Sequence, residues 1–192
     1  MSSLLSRILG AKGVATPGDA DRNPGARVRV LMVCMGNICR SPTAEAVLRH
    51  RLEQAGLADQ VLVDSAGTHA YHVGCPPDDR SQEAGRRRGY SMEGLRARKV
   101  APLDFERFDL LLAMDWDNLA LLEERCPEDQ RRKLRRLAEF IPNGHALAGA
   151  AVVPDPYYGG RDGFEHVLDL IEAASDGLLA HLRTRLELPD KP

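Results

Sequence analysis

The chain has 192 residues, a length typical of one domain, and its 43% hydrophobic and 28% charged residues exclude a fully disordered protein. The formal net charge of -2 excludes a globally basic surface for nucleic acid. No apolar run approaches the roughly 20 residues that span a bilayer. Four cysteines are too few for a disulfide framework, so we expect reduced thiols in a cytoplasmic protein.

The N-terminal segment differs in composition from the rest, with Gly, Pro, Ala and Asp concentrated after residue 13. We predict a flexible extension over residues 1–26, one domain over residues 27–188 and a short tail over residues 189–192. Arg7 interrupts the apolar residues near the start, which argues against a secretory signal. An extension that docks on a partner is the open alternative.

The first predicted element is a buried strand over the β-branched, apolar residues 28–33. A helix with one apolar face follows, with Ser41 as its expected N-cap, Pro42 at its first position and Gly56 after its end. The intervening residues 34–41 therefore form a loop at the carboxyl end of a buried strand.

The later elements continue the alternation of strands and helices. A strand over residues 61–64 precedes a loop and polar helix within residues 76–89, a third buried strand covers residues 108–114, and Asp115 caps the next helix. The arginines within residues 134–140 indicate a fourth strand at a sheet edge. The final helix has the strongest periodicity, with apolar residues at Phe164, Val167, Leu168, Ile171, Ala174, Leu178, Leu179 and Leu182. This order predicts an α/β parallel sheet with helices on both faces, which binds ligands beyond the carboxyl ends of its strands.

Cys34 and Arg40 are separated by five residues in the first of these loops. Such a loop can curl so that its N–H groups and the helix N-terminus cradle a tetrahedral oxyanion, and Gly36 is expected to supply an unusual φ. Arg40 can hold two phosphate oxygens, and the same positive field stabilises a thiolate at Cys34 for attack on phosphorus. For this loop alone, a structural cysteine beside a loop arginine is the alternative.

Asp155 provides a second functional element near the C-terminus. Cleavage of a phosphate ester requires a proton for the leaving oxygen, and a carboxylic acid on a separate loop can supply it. Prolines flank Asp155, and Tyr157 and Tyr158 follow it, so we expect a stiff, partly apolar loop whose two rings form a slot for an aromatic substrate. An ordinary surface turn is the alternative, because Asp-Pro and Gly-Gly are common turn residues.

Together, these motifs resemble those of the low-molecular-weight protein tyrosine phosphatase family. The likeness covers roughly residues 27–186. The segments that carry it, in chain order, are residues 33–45, 64–67, 72–80, 114–119 and 155–159. The resemblance is specific because the five segments agree in both order and spacing.

The resemblance implies a fold and a mechanism. The fold would be a three-layer α/β sandwich around a four-stranded parallel sheet, a flavodoxin- or Rossmann-like phosphotyrosine phosphatase I fold. Cys34 would be the nucleophile that forms a phosphocysteine, Arg40 would bind the phosphate, and Asp155 would act first as general acid and then as general base. The implied substrate is a phosphotyrosine-containing protein, no metal or other cofactor is required, and the oligomeric state stays open.

The resemblance also implies which residues support the loop and line the site. Loop support would come from Asn37, Ser41 and Ser65. The substrate-binding residues would be Met35, Gly36, Asn37, Ile38, Cys39, Ser41, Tyr71, Tyr157 and Tyr158. The family commonly has a loop-supporting histidine where Leu95 stands here, so we expect the loop to be supported differently.

Cys39 lies inside the loop and carries a further expectation. In the family, such a neighbour can form a reversible disulfide with the nucleophile and protect it from overoxidation, so a redox pair of Cys34 and Cys39 is implied. Simple packing of Cys39 in the loop is the equal alternative. Cys75 and Cys126 are interpreted as incidental.

Three other functions compete with tyrosine dephosphorylation. Arsenate reduction needs two further cysteines that can pair, and Cys75 and Cys126 are far apart in the sequence. Protein arginine phosphatases among the relatives have threonine at the position of Ile38, which suits a phenyl ring better than a guanidinium. A silent phosphotyrosine-binding module is expected to lack the nucleophile or the acid, and both Cys34 and Asp155 are present. The sequence therefore favours a protein tyrosine phosphatase.

Overall fold

A parallel sheet of four strands lies at the centre of the structure, a computed structural model that describes residue 23 and residues 25–187. The predicted tail and the predicted N-terminal extension, apart from residues 23, 25 and 26, lie outside the described residues. The strands are β1 (Val28–Cys34), β2 (Val61–Gly67), β3 (Leu110–Ala113) and β4 (Leu134–Arg136), in the order β2-β1-β3-β4.

Helices cover both faces of this sheet. They are α1 (Arg40–Gln54), α2 (Asp79–Arg87), α3 (Pro102–Arg107), α4 (Trp116–Arg125) and α5 (Arg161–Glu187). Val30 and Met32 of β1 pack in an apolar cluster with α1 and α5, whereas Leu31 and Val33 pack on the other face with α3 and α4. The predicted three-layer α/β sandwich is therefore confirmed. Among the described residues, no helix is both long and apolar enough to cross a bilayer.

The start of α1 differs from the prediction. Cys39 is the N-cap and the helix begins at Arg40, so the assignment of Ser41 as N-cap and Pro42 as first helical residue is wrong. Pro42 is accommodated as the third residue of the helix because N–H groups of the first turn have no partner within the helix. Within the described residues, no side chain at the N-cap satisfies these N–H groups, which leaves them available to an anion. Gly56 follows the helix with φ of 68°, as predicted for its end.

The fourth strand is shorter than predicted. β4 has three residues, and 3-10 segments at Glu128–Lys133 and Leu137–Phe140 flank it. The carboxylate of Glu139 accepts a hydrogen bond from the N–H of Arg136 at 3.2 Å, which turns the chain out of the strand. A 3-10 helix has three residues per turn, so Leu137 and Phe140 lie on the same face, and both are buried. Helix α3, a short helix that begins at a proline, was not predicted from the sequence.

The strand order indicates where a ligand would bind, at the carboxyl ends of the two central strands. β1 connects to β2 on one side and β3 lies on its other side, so the order of strands reverses between β1 and β3. Ligands of open parallel sheets bind beyond the carboxyl ends at such a point. Cys34 ends β1, and Asp115 follows β3 closely.

Candidate active site

The loop between β1 and α1 wraps around the sulfur of Cys34. The N–H of Asn37 donates to Cys34 Sγ at 3.3 Å, and Ser41 Oγ lies 3.1 Å from the same sulfur. Asn37 has φ of 56°, a left-handed conformation that Asn tolerates better than most residues. The expectation that Gly36 supplies the unusual φ is wrong, since that conformation belongs to Asn37. Gly36 instead packs closely against His72: a Cβ at position 36 would lie 2.9 Å from His72 Cδ2 and would displace that side chain.

Two side chains and one main-chain N–H hold Asn37 in this conformation. Its Nδ2 donates to Ser41 Oγ and to Ser65 Oγ, each at 2.9 Å, and its Oδ1 accepts from the N–H of Arg98 at 2.8 Å. Ser65 Oγ in turn donates to Glu45 Oε2 at 2.5 Å. The structure thus brings together the three predicted support residues. Sequence reasoning missed Glu45, a buried carboxylate within α1.

Leu95 belongs to the apolar core and not to this polar network. Its side chain is buried in the larger of the two apolar clusters. The oxygen of Asn37 is held by the main chain of Arg98, three residues further on. Arg98 itself is fixed by ion pairs with Asp64 at 2.7 Å and Asp104 at 2.9 Å. A main-chain donor on a clamped segment therefore supports the loop.

Arg40 lies buried at the start of α1 with its guanidinium directed at three acceptors. One terminal nitrogen donates to Asp115 Oδ2 at 2.5 Å and to the carbonyl of Val153 at 3.2 Å, and the other donates to Asp155 Oδ2 at 2.7 Å. Burial lowers the pKa of Arg40, but the charges of Cys34, Asp115 and Asp155 outweigh it and raise the pKa above its ordinary value. Its Nε is buried and has no hydrogen-bond partner among the described residues.

Asp115 was predicted only as a helix cap, and it has two tasks. Its Oδ1 accepts from the N–H of Asn118 at 2.7 Å, which confirms the N-cap of α4. Its Oδ2 forms the ion pair with Arg40. The sequence signal for this second task was its position at the carboxyl end of a buried strand, where site residues gather in parallel sheets.

Asp155 reaches the site from the loop before α5. Its side chain is 43% exposed, compared with 23% for Asp115, so it is the carboxylate open to solvent. Its Oδ1 accepts from the N–H of Tyr157 at 3.0 Å, which closes a small turn, and its Oδ2 contacts Arg40. The structure therefore places Asp155 beside Arg40, although the two residues are 115 positions apart.

The predicted lining residues are exposed to different extents. Met35 is exposed, Ile38 is partly buried, and Tyr157 is 40% exposed beside Asp155. Tyr71 is 71% exposed and stacks on the ring of His69. The main-chain N–H of His69 donates to the carbonyl of Met35. Tyr158 is 98% exposed and meets the ring of Tyr157 edge-on. Among these aromatic residues, Tyr157 is the one held firmly against the acid.

The four cysteines are free thiols in contrasting surroundings. Burial, and then the charge of Asp78, raises the pKa of Cys39 to about 12, so this thiol stays protonated. A disulfide between Cys34 and Cys39 stays a prediction. Cys126 packs in the smaller apolar cluster, and Cys75 is exposed. The two remaining cysteines thus lie in different surroundings, one exposed and one buried.

A sulfur held by a main-chain N–H and a serine hydroxyl, with a buried arginine six residues further on, is the arrangement of a cysteine-dependent phosphatase. Comparison with known proteins gives the finer assignment. Residues 29–188 match the family described as low molecular weight phosphotyrosine protein phosphatase, and the chain belongs to that family.

Relatives support the assignment over nearly their whole length. A low molecular weight protein-tyrosine-phosphatase of Streptomyces coelicolor is 47% identical over 161 residues, covering 83% of this chain and 96% of the relative. The crystal structure of a protein tyrosine phosphatase from Entamoeba histolytica, with Hepes in its active site, is 40% identical and superposes with a TM-score of 0.78 over 83% of this chain and 99% of that one. The structure of YfkJ from Bacillus subtilis, 38% identical, gives a TM-score of 0.77 over 84% of this chain and 98% of its own.

Proposed function

We propose that the protein hydrolyses phosphotyrosine in protein substrates through a phosphocysteine on Cys34. The observation that carries the proposal is the pairing of an enclosed sulfur with an arginine whose buried Nε has no partner among the described residues. A buried donor without an acceptor is costly, and a phosphate oxygen would satisfy it. The N–H groups at the start of α1, which no side chain at the N-cap satisfies, add further donors for the same anion.

In the first step, the thiolate of Cys34 attacks phosphorus and the ester bond to the phenol oxygen breaks. The new bond joins sulfur to phosphorus, and Asp155 gives its proton to the departing oxygen. A bound phosphate competes with Asp155 for Arg40, because both are anions within reach of one guanidinium. Binding of the substrate thus releases the Asp155 carboxylate, which takes up a proton from solvent and turns toward the leaving group, while Asp115 keeps Arg40 in place.

In the second step, water attacks the phosphocysteine. Asp155, now ionised, takes a proton from that water, the bond from sulfur to phosphorus breaks, and inorganic phosphate and the thiolate are restored. Arg40 stabilises the charge on the phosphoryl oxygens in both steps. The hydrogen bonds from Asn37 and Ser41 stabilise the thiolate that leaves.

The proposed substrate is an aromatic phosphate ester on a protein. Tyr157 beside the acid, with Met35, Ile38, Tyr71 and Tyr158 around the loop, offers apolar and aromatic surface to a phenyl ring. We keep the cytoplasm as the proposed location because all four cysteines are free thiols. Faster hydrolysis of phosphoarginine than of phosphotyrosine peptides would reassign the substrate.

The test compares hydrolysis of para-nitrophenyl phosphate by the wild type and by Cys34→Ser. We expect Cys34→Ser to lose turnover and to keep phosphate binding, because the donors of the loop remain. Asp155→Ala should lower kcat/KM for a phosphotyrosine peptide by about 100- to 10,000-fold. Rapid quenching of the wild type should trap phosphate on Cys34, and full activity of Cys34→Ser would overturn the covalent mechanism.

A further inference from the structure

Arg80, in the first turn of α2, links that helix to the loop that carries Asp155. Its Nε donates to Asp78 Oδ1 at 3.0 Å, and one terminal nitrogen donates to Asp78 Oδ2 at 2.8 Å, so the pair is bidentate. The other terminal nitrogen donates to the carbonyl of Tyr157 at 3.0 Å. The guanidinium therefore joins two segments that are 77 positions apart.

Two aromatic rings fix the orientation of this guanidinium. Its central carbon lies 5.4 Å from the centroid of the Tyr157 ring and 4.6 Å from that of Phe164. Both distances fall in the range of cation–π attraction, and Phe164 is itself buried at the start of α5. Arg80 is thus packed as well as hydrogen-bonded, although part of its side chain meets solvent.

Asp78 connects Arg80 to the phosphate-binding loop. The N–H of Asp78 donates to the carbonyl of Ile38 at 2.8 Å, and its carboxylate also caps α2 by accepting from the N–H of Arg80. Hydrogen bonds from Arg80 lower the pKa of Asp78, so the pair is ionised at neutral pH. A continuous path of direct contacts runs from Ile38 through Asp78 and Arg80 to Tyr157.

Tyr157 completes this path to the acid. Its N–H donates to Asp155 Oδ1, and its carbonyl accepts from Arg80, so both polar groups of this residue are held. We propose that Arg80, braced by Asp78, is a positioning residue that fixes Asp155 for proton transfer relative to the phosphate-binding loop. The inference rests on the proposed function and adds a residue that does not itself touch the phosphate.

The leaving group determines how much the reaction slows when the general acid is out of position. The phenol of tyrosine is a basic leaving group and needs the proton of Asp155, whereas a dinitrophenolate leaves readily without one. A defect in the position of the acid should therefore slow phenyl phosphate far more than 2,4-dinitrophenyl phosphate. A general loss of folding or of phosphate binding should slow both substrates equally.

The experiment measures kcat/KM of Arg80→Ala on aryl phosphates of graded leaving-group basicity. We expect a loss of about 10- to 100-fold for phenyl phosphate and less than about twofold for 2,4-dinitrophenyl phosphate. Asp155→Ala should show the same dependence on the leaving group, with larger losses of kcat/KM. In the Asp155→Ala background, Arg80→Ala should cause no further loss, because the two changes act through one proton transfer.

Two further variants serve as controls. Arg87→Ala removes an arginine of the same helix that pairs with Glu83 and Glu165, and it should leave all rates unchanged. Asp78→Asn keeps an acceptor oxygen for the cap of α2 but removes the charge that braces Arg80, so a smaller selective loss is expected. It also tests the inference if Arg80→Ala fails to fold.

An equal loss on every leaving group, or an undiminished effect of Arg80→Ala in the Asp155→Ala background, would overturn the positioning role while leaving the phosphatase assignment intact. Hydrolysis by the wild type that does not depend on Cys34 would overturn the proposed function itself. The two failures are distinguishable because the first appears only in the dependence on the leaving group.

Discussion

Glu45 shows how a residue outside the site controls its geometry. Its carboxylate lies at the end of a chain of hydrogen bonds that passes through Ser65 to Asn37 and so to the loop around Cys34. Arg49 lies 2.9 Å from its other oxygen. Burial nevertheless outweighs these favourable contacts and raises the pKa of Glu45 to about 7. The loop is therefore anchored on a group that titrates near neutral pH.

The titration of Glu45 should appear in the pH dependence of stability. Its pKa in the folded state is above its ordinary value of 4.5, so the folded state binds more protons between these values and the free energy of unfolding falls as pH rises. We expect Glu45 to contribute a loss of about 3 kcal/mol from pH 4.5 to pH 7. Glu45→Gln keeps an oxygen for Ser65 and should flatten this part of the profile, measured by urea denaturation across the range. Parallel profiles for both proteins would contradict the assignment.

Residues whose role depends on neighbours in sequence were predictable, and those that act over long separations were not. Cys34 and Arg40 are six positions apart, and this spacing favoured a phosphate site over a structural cysteine beside an arginine. Arg40 meets Asp115 across 75 positions, and Arg80 meets Tyr157 across 77, contacts that no local pattern reports. Asp155 was found because its flanking prolines and tyrosines mark it locally.

At the scale of elements, periodicity located most helices and strands but not their ends. The N-cap of α1 was misplaced because Ser41 and Pro42 suit a helix start, whereas the site leaves the first N–H groups free for an anion. The predicted fourth strand was too long because a hydrogen bond between Glu139 and the N–H of Arg136 turns the chain after three residues of β4. Where the local preference and the tertiary contact disagree, the contact determines the boundary.

Helix α5 contains two glycines whose substitution should have opposite effects. A Cβ at Gly177 would overlap with the carbonyl oxygen of Phe140, so the backbone of α5 packs directly against the backbone of residue 140. At Gly163 the nearest contact of a Cβ is 3.9 Å, to Pro156. Alanine favours a helix by up to about 1 kcal/mol over glycine, a gain that Gly163→Ala should realise.

Gly177→Ala should instead destabilise the protein by about 1 to 3 kcal/mol, because the clash forces α5 away from the 3-10 segment Leu137–Phe140. Thermal denaturation of both variants against the wild type measures the contrast. Equal stabilisation by the two substitutions would show that α5 does not approach Phe140 closely in solution.

At the scale of the whole molecule, the net charge of -2 conceals a site built for an anion. The positive field comes from main-chain N–H groups, the N-terminus of α1 and one buried arginine, which add little to a count of charged residues. The sheet concentrates these groups because β1 and β3 end side by side where the strand order reverses. The fold class could be predicted from alternating strands and helices, whereas the charge of the site could not be predicted from composition.

Such a site should couple anion binding to the stability of the entire domain, because the loop has its binding conformation only in the folded protein. Inorganic phosphate at about 100 times its Kd should stabilise the wild type by about 3 kcal/mol and raise Tm by several degrees. Cys34→Ser should keep this shift, as should Arg132→Ala in the 3-10 segment before β4, whereas Arg40→Ala should lose it. Thermal melting with and without phosphate gives the shift for each variant, so differences in their intrinsic stability cancel. An undiminished shift in Arg40→Ala would mean that phosphate binds elsewhere on the domain, since the loop without its arginine lacks the donors that hold two phosphate oxygens.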